Sequence, residues 1–182
     1  GFEVQTLRGL GRMLETGTAC VTTTSAGRLF DAMAALLGRT DPVTYEGEAA
    51  MELETLARSW RRAAAPYAVS CVADRAGLIH MDWRMTLREA LADCQAGKST
   101  AAIAAHWHLS LAALIAQAVA RLDTETVVLT GGCFQNTLLL GHTLRLLRGQ
   151  GRRVFWPQRL PVNDGALAAG QAALAAGVWE EG

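Results

Sequence analysis

The chain lacks the features that would place it in several large functional classes. It has four cysteines, Cys20, Cys71, Cys94 and Cys133, far apart and with no CxxC pair. That spacing offers neither a disulfide framework nor a zinc ribbon, and it fits a reduced, cytoplasmic protein. Fully apolar runs stay short of the roughly 18 residues that a membrane-crossing helix needs, so no membrane partner is expected. Seventeen basic residues balance seventeen acidic ones, which leaves no net field to gather nucleic acid or an anionic lipid surface. There is no HxxxH or HExxH pair to build a self-contained metal site. An initiator Met and a signal-type apolar segment are also missing from the start, Gly1-Phe2-Glu3, so the chain is expected to be a piece of a longer polypeptide.

What is present is a helix-rich α/β pattern. Helices are predicted over residues 25–37, 48–65, 86–95 and 99–122, the last long enough to be a central core helix. In the second, Met51 or Leu53, with Leu56 and Trp60, is expected to point inward, with Glu54 and Arg58 paired on the outer face and Pro66 as terminator. Short runs at 67–73 and 78–82 around Asp74-Arg75-Ala76-Gly77 suit a β-hairpin. The pattern then becomes strand (127–130), helix (135–148), strand (154–156) and a last helix from Asp164. That order implies parallel strands joined by a right-handed crossover.

The most informative segment is VVLTGGCFQN (127–136), an apolar run that ends in paired glycines and breaks into a helix. Two readings fit Gly131 and Gly132: a tight turn with positive φ, or bare N–H groups at a helix N-terminus that receive a phosphate or ribose, with Asn136 offering an amide beside them. Gly27, Arg28 and Asp31 lie in a helix start where Gly27 is costly unless something approaches closely; a plain capped helix is the alternative. Asp164 at a helix start suits the helix dipole or, alternatively, a metal. His106 and His108, two apart, diverge by about 200° on a helix and cannot share one metal, and His108 reads as a satisfied core histidine. Cys133 has no basic partner nearby in sequence and reads as a small apolar side chain. Tyr45-Glu46-Gly47-Glu48 places acids at a helix start, which dipole complementarity explains without a ligand.

Taken together, SAGRLFDAMAALLG (25–38), TYEGEAAMELE (44–54), AxxWH (104–108), VVLTGGCFQN and LPVNDGALAAGQA (160–172) resemble the HypF carbamoyltransferases of NiFe-hydrogenase maturation. The likeness is to the C-terminal portion of their carbamoyl-transfer domain, related to the tRNA threonylcarbamoyl transferases. It covers nearly all of residues 1–182, with the upstream domains outside the chain. The resemblance implies an actin-like, sugar-kinase and heat-shock-type ATPase fold, of which this chain supplies the C-terminal lobe, helix-rich with a short parallel sheet.

It further implies a nucleotide site at Gly27, Arg28, Asp31, Glu46, Gly131, Gly132 and Asn136, with ATP or a carbamoyl-adenylate as ligand. Asp164 corresponds to a ligand of a divalent metal, zinc or iron, whose other ligands are expected upstream. Carbamoyl phosphate is the implied upstream substrate, and the C-terminal cysteine of the partner HypE is the implied acceptor. FDA at 30–32 and YEG at 45–47 argue against the tRNA-modifying branch, which tends to have FDK and a glycine-rich segment. A catalytically silent nucleotide-binding or docking lobe is the remaining alternative. Two departures, Ala166 for a second glycine and Cys133 for a valine, adjoin the implied sites.

Overall fold

The computed structural model describes residues 3–177. Its organising element is α5 (Thr100–Val119), a helix apolar around much of its circumference that buries Ile103, Trp107, His108, Leu111 and Leu114. By length and apolarity α5 could cross a membrane, but its side chains are largely spent on the protein core. Around it pack α2 (Ala26–Leu36), α3 (Glu48–Ser59), α4 (Arg84–Gln95) and α6 (Thr137–Gly149). Phe30 and Met33 of α2 and Leu53 of α3 complete the main cluster. Each such fully buried side chain contributes about 1.5–3 kcal/mol over an exposed one.

Two short sheets flank the helices. β1 (Ser70–Ala73) and β2 (Ile79–Asp82) form the expected antiparallel hairpin, with Cys71 opposite Met81. Its turn follows from the sequence: Asp74 Oδ1 accepts from the N–H groups of Ala76 and Leu78, both at 2.9 Å, and Gly77 takes φ 83°. β3 (Thr126–Val128) and β4 (Arg153–Phe155) pair in parallel, Val127 opposite Val154, with α6 as the crossover. A second apolar cluster of Ala116, Val119, Leu129 and Leu147 seals that unit to α5. The helix-rich chain with a short parallel sheet is therefore the observed architecture.

Three local expectations are corrected. α1 (Val4–Thr16) was not foreseen; it buries no residue of its own, so its apolar periodicity serves no core within the described residues. α3 stops at Ser59, before the expected 65, because Trp60 turns to ψ 111°, well ahead of Pro66. Glu54 does not lie on an outer face: it pairs with Arg58 at 2.8 Å as expected, yet it also reaches across to α6. The last helix, α7 (Leu167–Ala175), follows a 3-10 turn at Asp164–Ala166.

Candidate functional site

The glycine pair sits where β3 leaves its sheet. Gly131 adopts φ 103° and ψ 152°, a region that L-residues with side chains avoid, so the tight-turn requirement is real at this position. Its N–H donates to Val162 O at 2.7 Å, which pins the loop ahead of Asp164 against the turn. Gly132 then opens a 3-10 turn, Gly132–Gln135, and a Cβ built on it would meet only Asn163 Cβ at 3.8 Å.

The helix N-terminus beyond is not bare. Thr137 and Leu138 N–H donate to Glu54 Oε1 at 3.1 and 3.3 Å, and Leu139 N–H donates to Asn136 Oδ1 at 2.9 Å. The first turn of α6 is thus saturated by the protein's own carboxylate and amide, which takes the place an anion would occupy. Burial by itself would raise the Glu54 carboxyl, but Thr137, Arg58 and the Leu138 N–H together hold it below the ordinary glutamate range. The free donors lie one step earlier: the N–H groups of Gly132 and Cys133 meet no acceptor among the described residues. The open N–H groups expected at the helix start therefore lie on the 3-10 turn.

The second set of expected residues converges. Arg28, Asp31 and Glu46 line one cleft of about 260 Å³ between α2 and the loop before α3, with Arg39 and Tyr45 completing its wall. Gly27 lies in the first turn of α2, and a Cβ there would meet Ser25 Oγ at an ordinary 3.5 Å. Arg28 and Asp31 form an ion pair at 3.2 Å that keeps both side chains toward this edge. The 3-10 turn packs against α2, and burial first, then the charge of Asp31, raises the Cys133 thiol. The glycine turn and the α2 carboxylate thus face the same region.

Behind this edge stands His108. It is fully buried, and its Nδ1 lies 2.7 Å from Ala104 O, which can only accept, so Nδ1 carries the proton. Nε2 is then a lone pair, and it accepts from Asn136 Nδ2 at 2.9 Å. Phe30, next to Asp31, meets the same imidazole edge-on at 5.5 Å. Burial, aided by nearby His142 and Arg58, pushes the His108 pKa down and keeps the ring neutral. The core-histidine reading holds, with an addition: one ring braces both α2 and the turn leading into α6. Asn136, expected to offer its amide outward, spends that amide on His108 and on the α6 cap.

Three of the four thiols are poorly suited to attack, while Cys20 is exposed. Burial raises the pKa of Cys71, Cys94 and Cys133, leaving neutral thiols at physiological pH. Asp164 opens its 3-10 turn exposed, and no group of three His, Cys, Asp or Glu side chains among the described residues could hold a metal ion. One carboxylate is what these residues offer; a metal held there would take its other ligands from elsewhere. Sequence reasoning missed the roles of Glu54 and His108 because both act across long separations, Glu54 over 83 residues to Thr137. Glutamate pointing into a helix face that already carries Leu53 and Ala57 was the available signal.

Comparison with known proteins agrees with this fold. Residues 3–171 match the family model described as carbamoyltransferase, Kae1-like domain, second subdomain. The carbamoyltransferase HypF of Rhodobacter capsulatus is 39% identical over 180 residues, covering 95% of this chain and 22% of that protein. The HypF of Synechocystis is 35% identical over 164 residues, covering 90% and 21%. Among solved structures, full-length HypF in a phosphate- and nucleotide-bound form superposes with a TM-score of 0.85 at 28% identity, covering 98% of this chain and 24% of that one. HypF of T. kodakarensis gives a TM-score of 0.71 at 26% identity, with coverage of 92% and 22%. The chain spans about a fifth to a quarter of the length of these four relatives. Its sequence, its helix-rich lobe with one parallel strand pair and its glycine turn place the chain in the HypF carbamoyltransferase family, matching the second subdomain of the Kae1-like domain.

Proposed function

We propose that this chain forms the nucleotide-holding part of a carbamoyltransferase acting in hydrogenase maturation. The observation that carries the reading is convergence: Arg28, Asp31 and Glu46 share one cleft, and the unpaired N–H groups of Gly132 and Cys133 lie on the turn packed against α2. Asp31 and Glu46 supply acceptors for ribose or adenine donors, Arg28 a cation for phosphate, and the turn donors a cradle for an oxygen lone pair. The nucleotide-bound state of a full-length relative with this fold supports the assignment.

The ligand is ATP or a carbamoyl-adenylate made from ATP and carbamoyl phosphate. Such an adenylate is a mixed anhydride: a thiolate adds to its carbonyl carbon, the acyl–oxygen bond breaks, and AMP leaves with the electron pair. Cys71, Cys94 and Cys133 are held as neutral thiols, and Cys20 is exposed and outside the lining of this cleft, which favours a nucleophile from elsewhere, the C-terminal cysteine of HypE, which would become a thiocarboxamide. Asp164 is proposed as one ligand of a divalent metal; such an ion, when bound, polarises the carbonyl. The residues of this chain hold the nucleoside and orient the adenylate.

The test uses the full-length polypeptide. Asp31→Asn is expected to weaken ATP binding about 10- to 150-fold, one charged hydrogen bond's worth, with the fold intact. Asp164→Ala is expected to lower bound metal and carbamoyl transfer while sparing adenylate formation. Unchanged nucleotide affinity in the first variant removes Asp31 from the site, and unchanged metal content in the second removes Asp164 from the ligand set.

A further inference from the structure

A second cleft of about 360 Å³ opens on another face, between the end of α3, the 60–64 segment, α5 and α6, and it shares no residue with the nucleotide cleft. Four arginines, Arg58, Arg61, Arg62 and Arg145, line it and no carboxylate does. In a chain with seventeen charges of each sign, that is a local excess of one sign. Arg58 is offset by Glu54, but Arg61, Arg62 and Arg145 form no ion pair among the described residues. The field is felt locally: burial first and Arg145 second lower the pKa of His142 beside it. Three cations held together without counter-charge repel one another, and a folded protein gains by receiving an anion there.

The shape of the lining narrows the anion. Leu109 and Leu138 give the cleft an apolar floor, which inorganic phosphate alone would leave wet. Arg62 already lies over the Trp60 ring, 5.6 Å from its centroid, so the one indole in the cleft is not free on that side to stack a base. No glycine turn with free N–H groups and no carboxylate for ribose hydroxyls borders it. Sixteen of the seventeen basic residues in the chain are arginine, so the residue type by itself selects nothing, but each guanidinium can pair bidentately with a carboxylate.

We infer that this cleft is a docking site for an acidic polypeptide segment that carries an apolar side chain, its carboxylates on Arg61, Arg62 and Arg145 and its apolar group against Leu109 and Leu138. The two clefts have no lining residue in common, although His108, which braces α2 from behind, also borders this one, and the inference stands whether or not the first cleft holds adenosine.

The test measures fluorescence anisotropy of a labelled peptide of alternating glutamate and leucine against the full-length polypeptide at low and moderate salt. Saturable, salt-weakened binding is expected. The double variant Arg61→Glu with Arg62→Glu should weaken it about tenfold, the sum of two exposed pairs lost and made repulsive. Arg8→Glu with Arg12→Glu on α1 makes the same change in net charge far along the sequence and should leave the affinity unchanged; circular dichroism checks that both variants are folded. Absence of binding at low salt, or equal weakening by both double variants, overturns the inference. So does a single-stranded RNA of equal charge that binds more tightly than the peptide, because the cleft would then be a nucleic-acid surface.

Discussion

Three glycines separate a turn that the fold requires from room that a ligand requires. Gly131 holds φ 103°, so Gly131→Ala forces a side chain into a disallowed region and is expected to destabilise the protein by about 1–3 kcal/mol. Gly132 and Gly27 are different: an added Cβ would meet Asn163 Cβ at 3.8 Å and Ser25 Oγ at 3.5 Å, both ordinary contacts. Alanine at either position should leave the fold as stable, or more stable by about 0.4–1 kcal/mol through the loss of unfolded-chain freedom. If adenosine and its phosphates lie against this backbone, the new methyl group overlaps the ligand. Overpacking of that size costs about 1–3 kcal/mol, which weakens affinity by a factor of about 5 to 150. The assay pairs urea denaturation with a nucleotide titration of full-length Gly27→Ala, Gly131→Ala and Gly132→Ala. Loss of stability only at Gly131, with nucleotide affinity unchanged in the other two variants, would refute the reasoning and leave the GG pair as a turn and nothing more.

Two further expectations concern the groups behind the site. His108→Ala should destabilise by at least about 1–3 kcal/mol, since Asn136 then holds an unsatisfied buried N–H, whereas His108→Gln retains an acceptor and should recover much of the nucleotide affinity that alanine loses. Because burial lowers the folded pKa of His108, its stabilising contribution is full above the unfolded value of about 6.5 and is lost as pH falls below it. Urea midpoints across that range should therefore fall less in the glutamine variant than in the parent; parallel curves would show that His108 does not stay neutral. For Glu54 the folded pKa is also depressed, so its contribution is present above about 4.3 and is lost as pH falls through the lower folded value. Glu54→Gln is expected to lower stability at neutral pH by about 1 kcal/mol, and thermal melts should show that gap closing in acid; a gap that persists contradicts a charged cap on α6.

Most of the architecture was legible along the chain because local periodicity carries it. The 3.6-residue pattern marked α2, α5 and α6, and the Asp74 and Gly77 turn marked the hairpin. The early end of α3 was not legible. Nothing local forbids helix through Trp60, and the chain turns there because the segment must run to Tyr67, whose N–H donates to Ser110 Oγ of α5 at 2.8 Å. The α1 helix was overlooked although its pattern is amphipathic, since no core partner among the described residues gives that pattern a use. In the candidate site the motif residues were readable as types, yet their division of labour was not. Asn136 and Glu54 look like free polar groups in sequence, and each is spent on α6 in the fold.

By itself the sequence determined the family, the helix-rich α/β plan and the identity of the glycine and carboxylate positions, because short motifs fix backbone conformation and side-chain chemistry within a few residues. Only the tertiary structure decided which donors stay free. That depends on which distant groups arrive first: Glu54 and Asn136 occupy the N-terminus of α6 and leave the open N–H groups to Gly132 and Cys133. The same holds for charge. A neutral composition gave no sign of the four-arginine cleft, since Arg58 and Arg145 stand far apart in the chain and become neighbours only when α6 packs beside the end of α3 against α5.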